Sequence, residues 1–345
     1  MNQYNSVLIT RPLANIPREA VTWLWPNRIP LGKITVIGGD PGLGKSLLTA
    51  NLAATVSRGY QFPDGTPCTK GDVLLLSAED DPGDTIRPRL EAMDADLDRV
   101  HFCSKYAFED GDGALYDDTF TDVGNTEAIA RSLSDAEAAG HAIRLIVIDP
   151  ITAFLGDLDG HKNTEIRARL APLAELAQQW RCAIVMVSHL NKAGGGSSPI
   201  YRITGSLAFV AAARAVWLVT RDPDDQERRL FLPIKANLGP DSGGLAYRIS
   251  GVTGVAQIEW DGTVDISAVD AMRQGSDDER SELRDAIDFL RELLADGPME
   301  QKQIEKDATG AGISVSTLRR AKKQAGIKSE KAFGSGKWRW SLPER

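Results

Sequence analysis

The chain has 345 residues, 42% hydrophobic and 26% charged, which is enough apolar material for one large domain with a smaller one attached. No uninterrupted apolar run approaches the ~18 residues of a membrane span, and MNQYNSVLITRPLANIPREA lacks the basic-then-apolar signature of a secretion signal, so a cytoplasmic protein without membrane contact is expected. A formal net charge of −8 excludes coating of DNA by bulk electrostatics, yet residues 298–345 carry 11 Lys/Arg against 5 Asp/Glu, a tail of +6 on a body of −14. Three isolated cysteines with no CxxC, and four histidines without metal-ligand spacing, argue against a disulfide framework or a structural zinc.

Taken in chain order, KITVIG (33–38) predicts a strand, and residues 46–56 have the apolar spacing of a helix. Between them GDPGLGKS (39–46) fits GxxxxGK[ST]. Its glycines let backbone N–H groups face phosphate oxygens, its lysine neutralises charge and its hydroxyl binds magnesium. For ATP, the pattern places Gly39, Asp40, Pro41, Gly42, Leu43, Gly44 and Leu47 around the phosphates, Lys45 on the β and γ phosphates and Ser46 on Mg²⁺. DVLLLS (72–77) predicts a second strand, and behind it Glu79, Asp80 and Asp81 are carboxylates able to polarise an attacking water, two of them expected to be merely solvated. A helix is predicted over 126–139. The strand at 143–148 then ends in Asp149, placed to hold magnesium through water. A helix over 164–180 and a strand at 182–188 lead into HLNKAGGGSSPIYR (189–202), which composition alone would make a flexible connector.

Strands alternating with helices predict a mostly parallel sheet covered on both faces, and runs at 214–219, 228–236, 244–250 and 255–260 predict antiparallel strands added at its edge. A domain boundary is expected around 271–281, followed by a helix over 282–295. In the basic tail, 302–328 reads as two short helices. The second has Val315, Leu318, Ala321 and Ala325 on one face and Ser316, Arg319, Arg320 and Lys323 on the others, with Ser314 as N-cap and Gly326 as terminator. A hairpin follows, with Trp338 and Trp340 on one side and Lys337 and Arg339 on the other. Four cations within 319–323 favour a helix in a DNA groove, with Arg319, Arg320 and Lys323 on phosphates; a protein contact or a solvated basic face is the plainer reading.

In order, WLWPNRIPLGKITVIGGDPGLGKS, LLLSAEDDPGDTIRPRL, LIVIDP, VMVSHLNK and RITGSLAFVAAARAVWLV resemble the RepA-like branch of RecA-type P-loop ATPases. That branch contains plasmid and phage hexameric DNA helicases and is related to the DnaB-like replicative helicases. The resemblance spans about residues 18–260 and implies an α/β, RecA-like P-loop NTPase core. It makes Glu79 the catalytic base and His189 a polar sensor of the γ-phosphate. It also turns the segment after His189 toward the centre of a ring, where Lys192 and Arg202 would touch DNA, with His161 and Lys162 on a second central loop. Ring ATPases of this group fire with a cation from the neighbouring subunit. The Lys-x-Arg of DnaB-like relatives is Lys235-Ala236-Asn237 here, which leaves Arg214 as the substitute finger, or else as a structural ion pair, and Lys235 as a second cation reaching across. The tail resembles the winged helix-turn-helix, a small α+β unit found behind P-loop domains in phage and plasmid proteins.

The expected layout is an N-terminal arm (1–30), a RecA-like ATPase domain (31–270), a linker (271–281) and a winged-helix DNA-binding domain (282–345). The expected function is an ATP- and Mg²⁺-dependent, homo-hexameric motor on single-stranded DNA. Duplex DNA is a second partner, and a separate primase or initiator would supply priming. The alternatives are a nucleotide-switched DNA-binding regulator and a recombinase- or repair-type filament ATPase that does not unwind.

Overall fold

The computed structural model describes residues 10–103, 105–109, 115–156, 163–190, 207–251, 254–274, 277–295, 297–331 and 338–343. Strands β1 (Trp23–Trp25) and β2 (Ile29–Pro30) form a small antiparallel pair. Strand β3 (Ile34–Gly39) is buried along its whole length and runs into helix α1 (Lys45–Arg58). After β4 (Asp72–Ser77), a turn of helix at Pro82–Ile86 leads to α2 (Arg87–Ala92), then β5 (Val100–Cys103) and a separate antiparallel pair, β6 (Lys105–Glu109) with β7 (Leu115–Thr119). Helix α3 (Thr126–Ala138), β8 (Ile143–Asp149), α4 (Asn163–Trp180), β9 (Ala183–His189) and α5 (Leu207–Ala212) follow. Strands β10 (Ala215–Arg221), β11 (Arg228–Ala236), β12 (Gly244–Ser250) and β13 (Gln257–Val264) complete the body, with α6 (Ala268–Gln274) after them.

Nine strands make one sheet in the order β13-β12-β11-β10-β3-β9-β8-β4-β5. Alternate side chains explain how it is covered on both faces. Val36, Leu74, Ile146 and Ile184 join α3 and α4 in one core, whereas Ile37, Val73, Leu145 and Val185 join α1 in the other. Each such buried aliphatic side chain contributes about 1.5–3 kcal/mol. The predicted parallel strands are present. The extension differs in one respect: β10 still pairs parallel with β3, and only β11, β12 and β13 are antiparallel.

Two expected boundaries shift. Within the stretch read as an N-terminal arm, Trp25, Arg28 and Ile29 are fully buried, because Arg28 is clamped by Asp64 and the carbonyls of Ser242 and Gly243. Trp25 and Trp217 lie against its guanidinium, 5.4 and 5.2 Å from their ring centroids, and the Trp217 indole donates to the Arg28 carbonyl. The stretch read as a linker is largely helical: α6 anchors Ala268 and Ala271 in the body's core, and α7 (Asp277–Leu293) begins five residues before 282.

The C-terminal unit continues from α7 through β14 (Met299–Glu300), α8 (Gln301–Gly310), α9 (Val315–Gln324), β15 (Lys328–Lys331) and β16 (Trp338–Ser341), the strands pairing in the order β14-β16-β15. Its core contains Leu283, Leu290, Ile304, Leu318 and Trp340. The Ser314 hydroxyl accepts the Thr317 N–H at 3.1 Å, so α9 starts where its cap predicts, and Gly326, with φ of +67°, follows its end. Val315 is exposed rather than buried with Leu318 and Ala321; Thr317 takes the inward place beside them.

Candidate nucleotide site

The parallel strands end together, and their C-terminal ends gather the site. Gly39 pairs in register with His189, and Ser77 with Asp149, so the loop after β3, the end of β9, the end of β8 and the segment after β4 share one edge. The loop itself requires glycine at two points. A Cβ on Gly39 would lie 2.5 Å from the Val219 carbonyl oxygen, and Gly44, with φ of +81°, would put one 2.6 Å from Ile249 Cδ1. The Tyr247 hydroxyl of β12 donates to the Leu43 carbonyl at 3.0 Å, so the antiparallel extension fixes the loop from behind.

Leu48 is the first residue of α1 whose N–H bonds back within the helix, to the Gly44 carbonyl at 2.9 Å. The N–H groups of Lys45, Ser46 and Leu47 precede it at the positive end of a 14-residue helix, the chemistry of a phosphate site. Lys45 is buried, and its ammonium donates to the Gly39 and Asp40 carbonyls at 2.9 Å each. Burial lowers its pKa, an effect opposed by Asp149, Asp40 and Glu79. Asp149 is almost wholly buried. Burial raises its pKa to about 6, against the lowering effect of its hydrogen bond with Ser46, while Glu79 and Asp80 push it further up. A hydroxyl and a carboxylate already in contact form a hard-oxygen pair that fits Mg²⁺, and surplus negative charge around Asp149 is what a divalent cation would relieve.

His189 joins the two sides of the site. Its Nδ1 is 3.4 Å from Lys45 Nζ and its Nε2 is 3.7 Å from Glu79 Oε1. An ammonium only donates, so Nδ1 accepts and the ring proton faces Glu79. The three candidate carboxylates separate by their partners. Asp81 caps the turn after it by accepting the N–H groups of Gly83 and Asp84, and Asp80 is held by Arg89 at 2.7 Å; Glu79 faces His189. Arg89 is a site residue that motif reading missed. It lines a small cleft with Ser46, Thr49, Asp80 and Asp149, and no local sequence pattern marks it, because its ion pair with Asp80 spans a turn.

Arg214 and Lys235 lie elsewhere. Arg214 is exposed at the start of β10, its main chain locked to the Ile34 carbonyl and the Asn237 N–H. The P-loop end of β10 is at Val219, beside Gly39, which leaves Arg214 about 16 Å away along the strand. Lys235 pairs with Val216 at the same far end, and its ammonium donates to the Val210 and Ala213 carbonyls at 2.8 and 2.7 Å. Lys235 therefore caps the end of α5 and lies away from the chain's own phosphate loop, which leaves the expected reach toward a neighbouring subunit as the one route to nucleotide. In the C-terminal unit Arg319 and Lys323 are exposed on α9 and Arg320 is half-buried. His161, Lys162, Lys192 and Arg202 fall outside the described residues.

The family model of the AAA domain matches residues 4–195, more than half of the chain. The chain belongs to the AAA domain family. The family and the phosphate-loop sequence together support an ATPase. The chain is also similar to the DNA repair protein RadA of Brucella abortus (strain 2308), 25% identical over 172 residues. That match takes in 49% of this chain and 30% of RadA's length. Among solved structures it is similar to another protein's ATPase domain, with a TM-score of 0.49 and 11% identity, covering 69% of this chain and 92% of that one. Among the described residues no helix is long and apolar enough to cross a membrane, and no three His, Cys, Asp or Glu side chains are grouped to hold a metal on their own.

Proposed function

We propose that this AAA domain protein is an ATP-hydrolysing motor of the RepA-like, RecA-type kind, working on single-stranded DNA as a ring of identical subunits. The observation that carries the reading is the convergence of Lys45, Ser46, Asp149, Glu79 and His189 on one sheet edge beside the N-terminus of α1. In the reaction ATP and water give ADP and phosphate. The α1 N–H groups and Lys45 hold the phosphate chain, Glu79 orients the attacking water and takes its proton, and His189 senses the γ-phosphate. Magnesium held through Ser46 and Asp149 would neutralise charge on the phosphate oxygens. A ring is supported by Arg214, which is too far from its own phosphate loop to serve there and is free in geometry to serve a neighbour's. The C-terminal order of helix, strand, helix, helix and two strands supports a winged helix that presents Arg319, Arg320 and Lys323 to DNA phosphates.

ATPase rates with and without single-stranded DNA, together with unwinding of a forked duplex, test this. Stimulated hydrolysis with unwinding is expected. Stimulation without unwinding would leave a nucleotide-switched regulator or a filament ATPase, and electron microscopy of the ATP-bound protein separates ring from filament. Lys192→Ala with Arg202→Ala is expected to remove DNA stimulation while basal hydrolysis persists.

A further inference from the structure

Of the described tryptophans Trp338 alone is exposed, at 49%, and it stands at the outer end of the β15–β16 hairpin. Trp340 explains why it is out of place in the core. Both rings lie on one face of β16, two residues apart, but Trp340 is 2% exposed, fills the unit's core and carries the Lys322 ammonium 4.3 Å from its centroid. Trp338 is one pleat further out, outside the core cluster, and leaves about half of its surface to solvent. Lys331 pairs with it across the strands, its ammonium 5.8 Å from the ring, so the same face alternates cation and aromatic twice. Glu330 pairs with Arg339 on the opposite face, which leaves the Trp338 face without an acid from either strand. Lys322 and Lys331 flank this face.

We propose that Trp338 is a stacking platform for an unpaired base of single-stranded nucleic acid, with Lys331 on the adjacent phosphate. The inference rests on the reading that the chain acts on single-stranded DNA, and it assigns the tail to the strand rather than to a duplex groove alone. An aromatic ring offers a base an apolar face without regard to sequence, and flanking ammonium groups follow the backbone. A duplex hides its base faces in the stack, so this ring discriminates for the unpaired strand.

The test uses the full chain and a thymidine oligonucleotide carrying 5-iodouracil, irradiated and mapped by mass spectrometry, with affinities from filter binding. An adduct on Trp338 is expected. Trp338→Ala should lower single-strand affinity by about 5- to 100-fold and leave an equal-length duplex within about threefold, while Trp338→Phe retains most of the single-strand affinity. Unchanged circular dichroism and basal ATPase in both variants show that the fold is intact. Binding of the oligonucleotide with no adduct at Trp338, or equal losses for single strand and duplex, overturns the inference and leaves the proposed motor standing. A change in oligomeric state with unchanged binding also overturns it, by giving the ring to a protein contact. Failure of the chain to bind any nucleic acid removes both readings.

Discussion

Asp149 ends β8 and Glu79 lies two residues beyond β4, and the two acids have different surroundings. Glu79 is exposed and faces the ring proton of His189, so Glu79→Gln keeps the shape and removes the proposed base; kcat for ATP hydrolysis is expected to fall about 100- to 10,000-fold with nucleotide affinity unchanged. Asp149 is raised by burial to about 6 from an ordinary 3.8. The folded chain therefore binds more protons than the unfolded one between those values, and nucleotide-free stability falls as pH rises from about 4 to about 6. Above that window the buried charge costs on the order of 3 kcal/mol, and Asp149→Asn should abolish the slope while also abolishing Mg²⁺-dependent hydrolysis; melting at pH 4.5 and 7 in chelator checks the first effect. Magnesium needs the ionised form, so the Mg²⁺ concentration for half-maximal activity should rise as pH falls below about 6. The motif named Lys45, Ser46 and Asp149 from residue type and strand context alone. Arg89 was illegible, because its ion pair with Asp80 spans a turn whose geometry depends on packing against α1 and β4 rather than on any local pattern.

Among the elements, β12 stands farthest in sequence from the loop it supports. Tyr247→Phe removes a buried hydrogen bond and strands the Leu43 carbonyl, which should cost about 1–2 kcal/mol of stability and weaken ATP binding by roughly 5- to 10-fold, as measured by chemical denaturation and calorimetry. If binding is unaffected, the extension does not hold the loop. Val/Ile-rich runs made the parallel strands legible, since a strand buried on both faces must be apolar throughout. The same logic failed for the short strands β5, β6 and β7, where each run is too brief and too polar to stand out from turn residues. It also failed for residues 271–281: polarity marked a linker, but Ala268 and Ala271 need only two inward positions to seat α6 on the body. In α9 the cap and terminator were legible and one inward position was not, because Ser314 bonds Thr317 and draws that turn inward in place of Val315.

At the scale of the whole molecule, the −14 body and the +6 tail divide attraction to polyanions between two units. Replacing Arg319, Arg320 and Lys323 together by alanine should lower the slope of log affinity against log salt by about 2 for single strands, with ATPase in the absence of DNA unchanged. The far-end position of Arg214 gives an assembly test. Arg214→Ala alone should hydrolyse no ATP yet bind it normally, and mixing it with Lys45→Ala subunits should restore a measurable fraction of the rate, because a Lys45→Ala subunit still lends its Arg214 to the otherwise intact site of an Arg214→Ala neighbour. Loss of folding, or of nucleotide binding by Arg214→Ala, would sink the idea of a finger acting between subunits.

The buried column in which Trp25 stacks on Phe62 and Phe231, and Phe231 on Trp217, at centroid separations of 4.6, 6.0 and 4.4 Å, has an optical consequence. Aligned transitions in two indoles clamped about one guanidinium give the ATPase body a fixed chiral chromophore. The part of the near-ultraviolet dichroism that comes from this column should vanish in one step when that body melts and should persist when only the C-terminal unit opens, which a Trp338→Phe, Trp340→Phe background makes visible by removing that unit's own indoles.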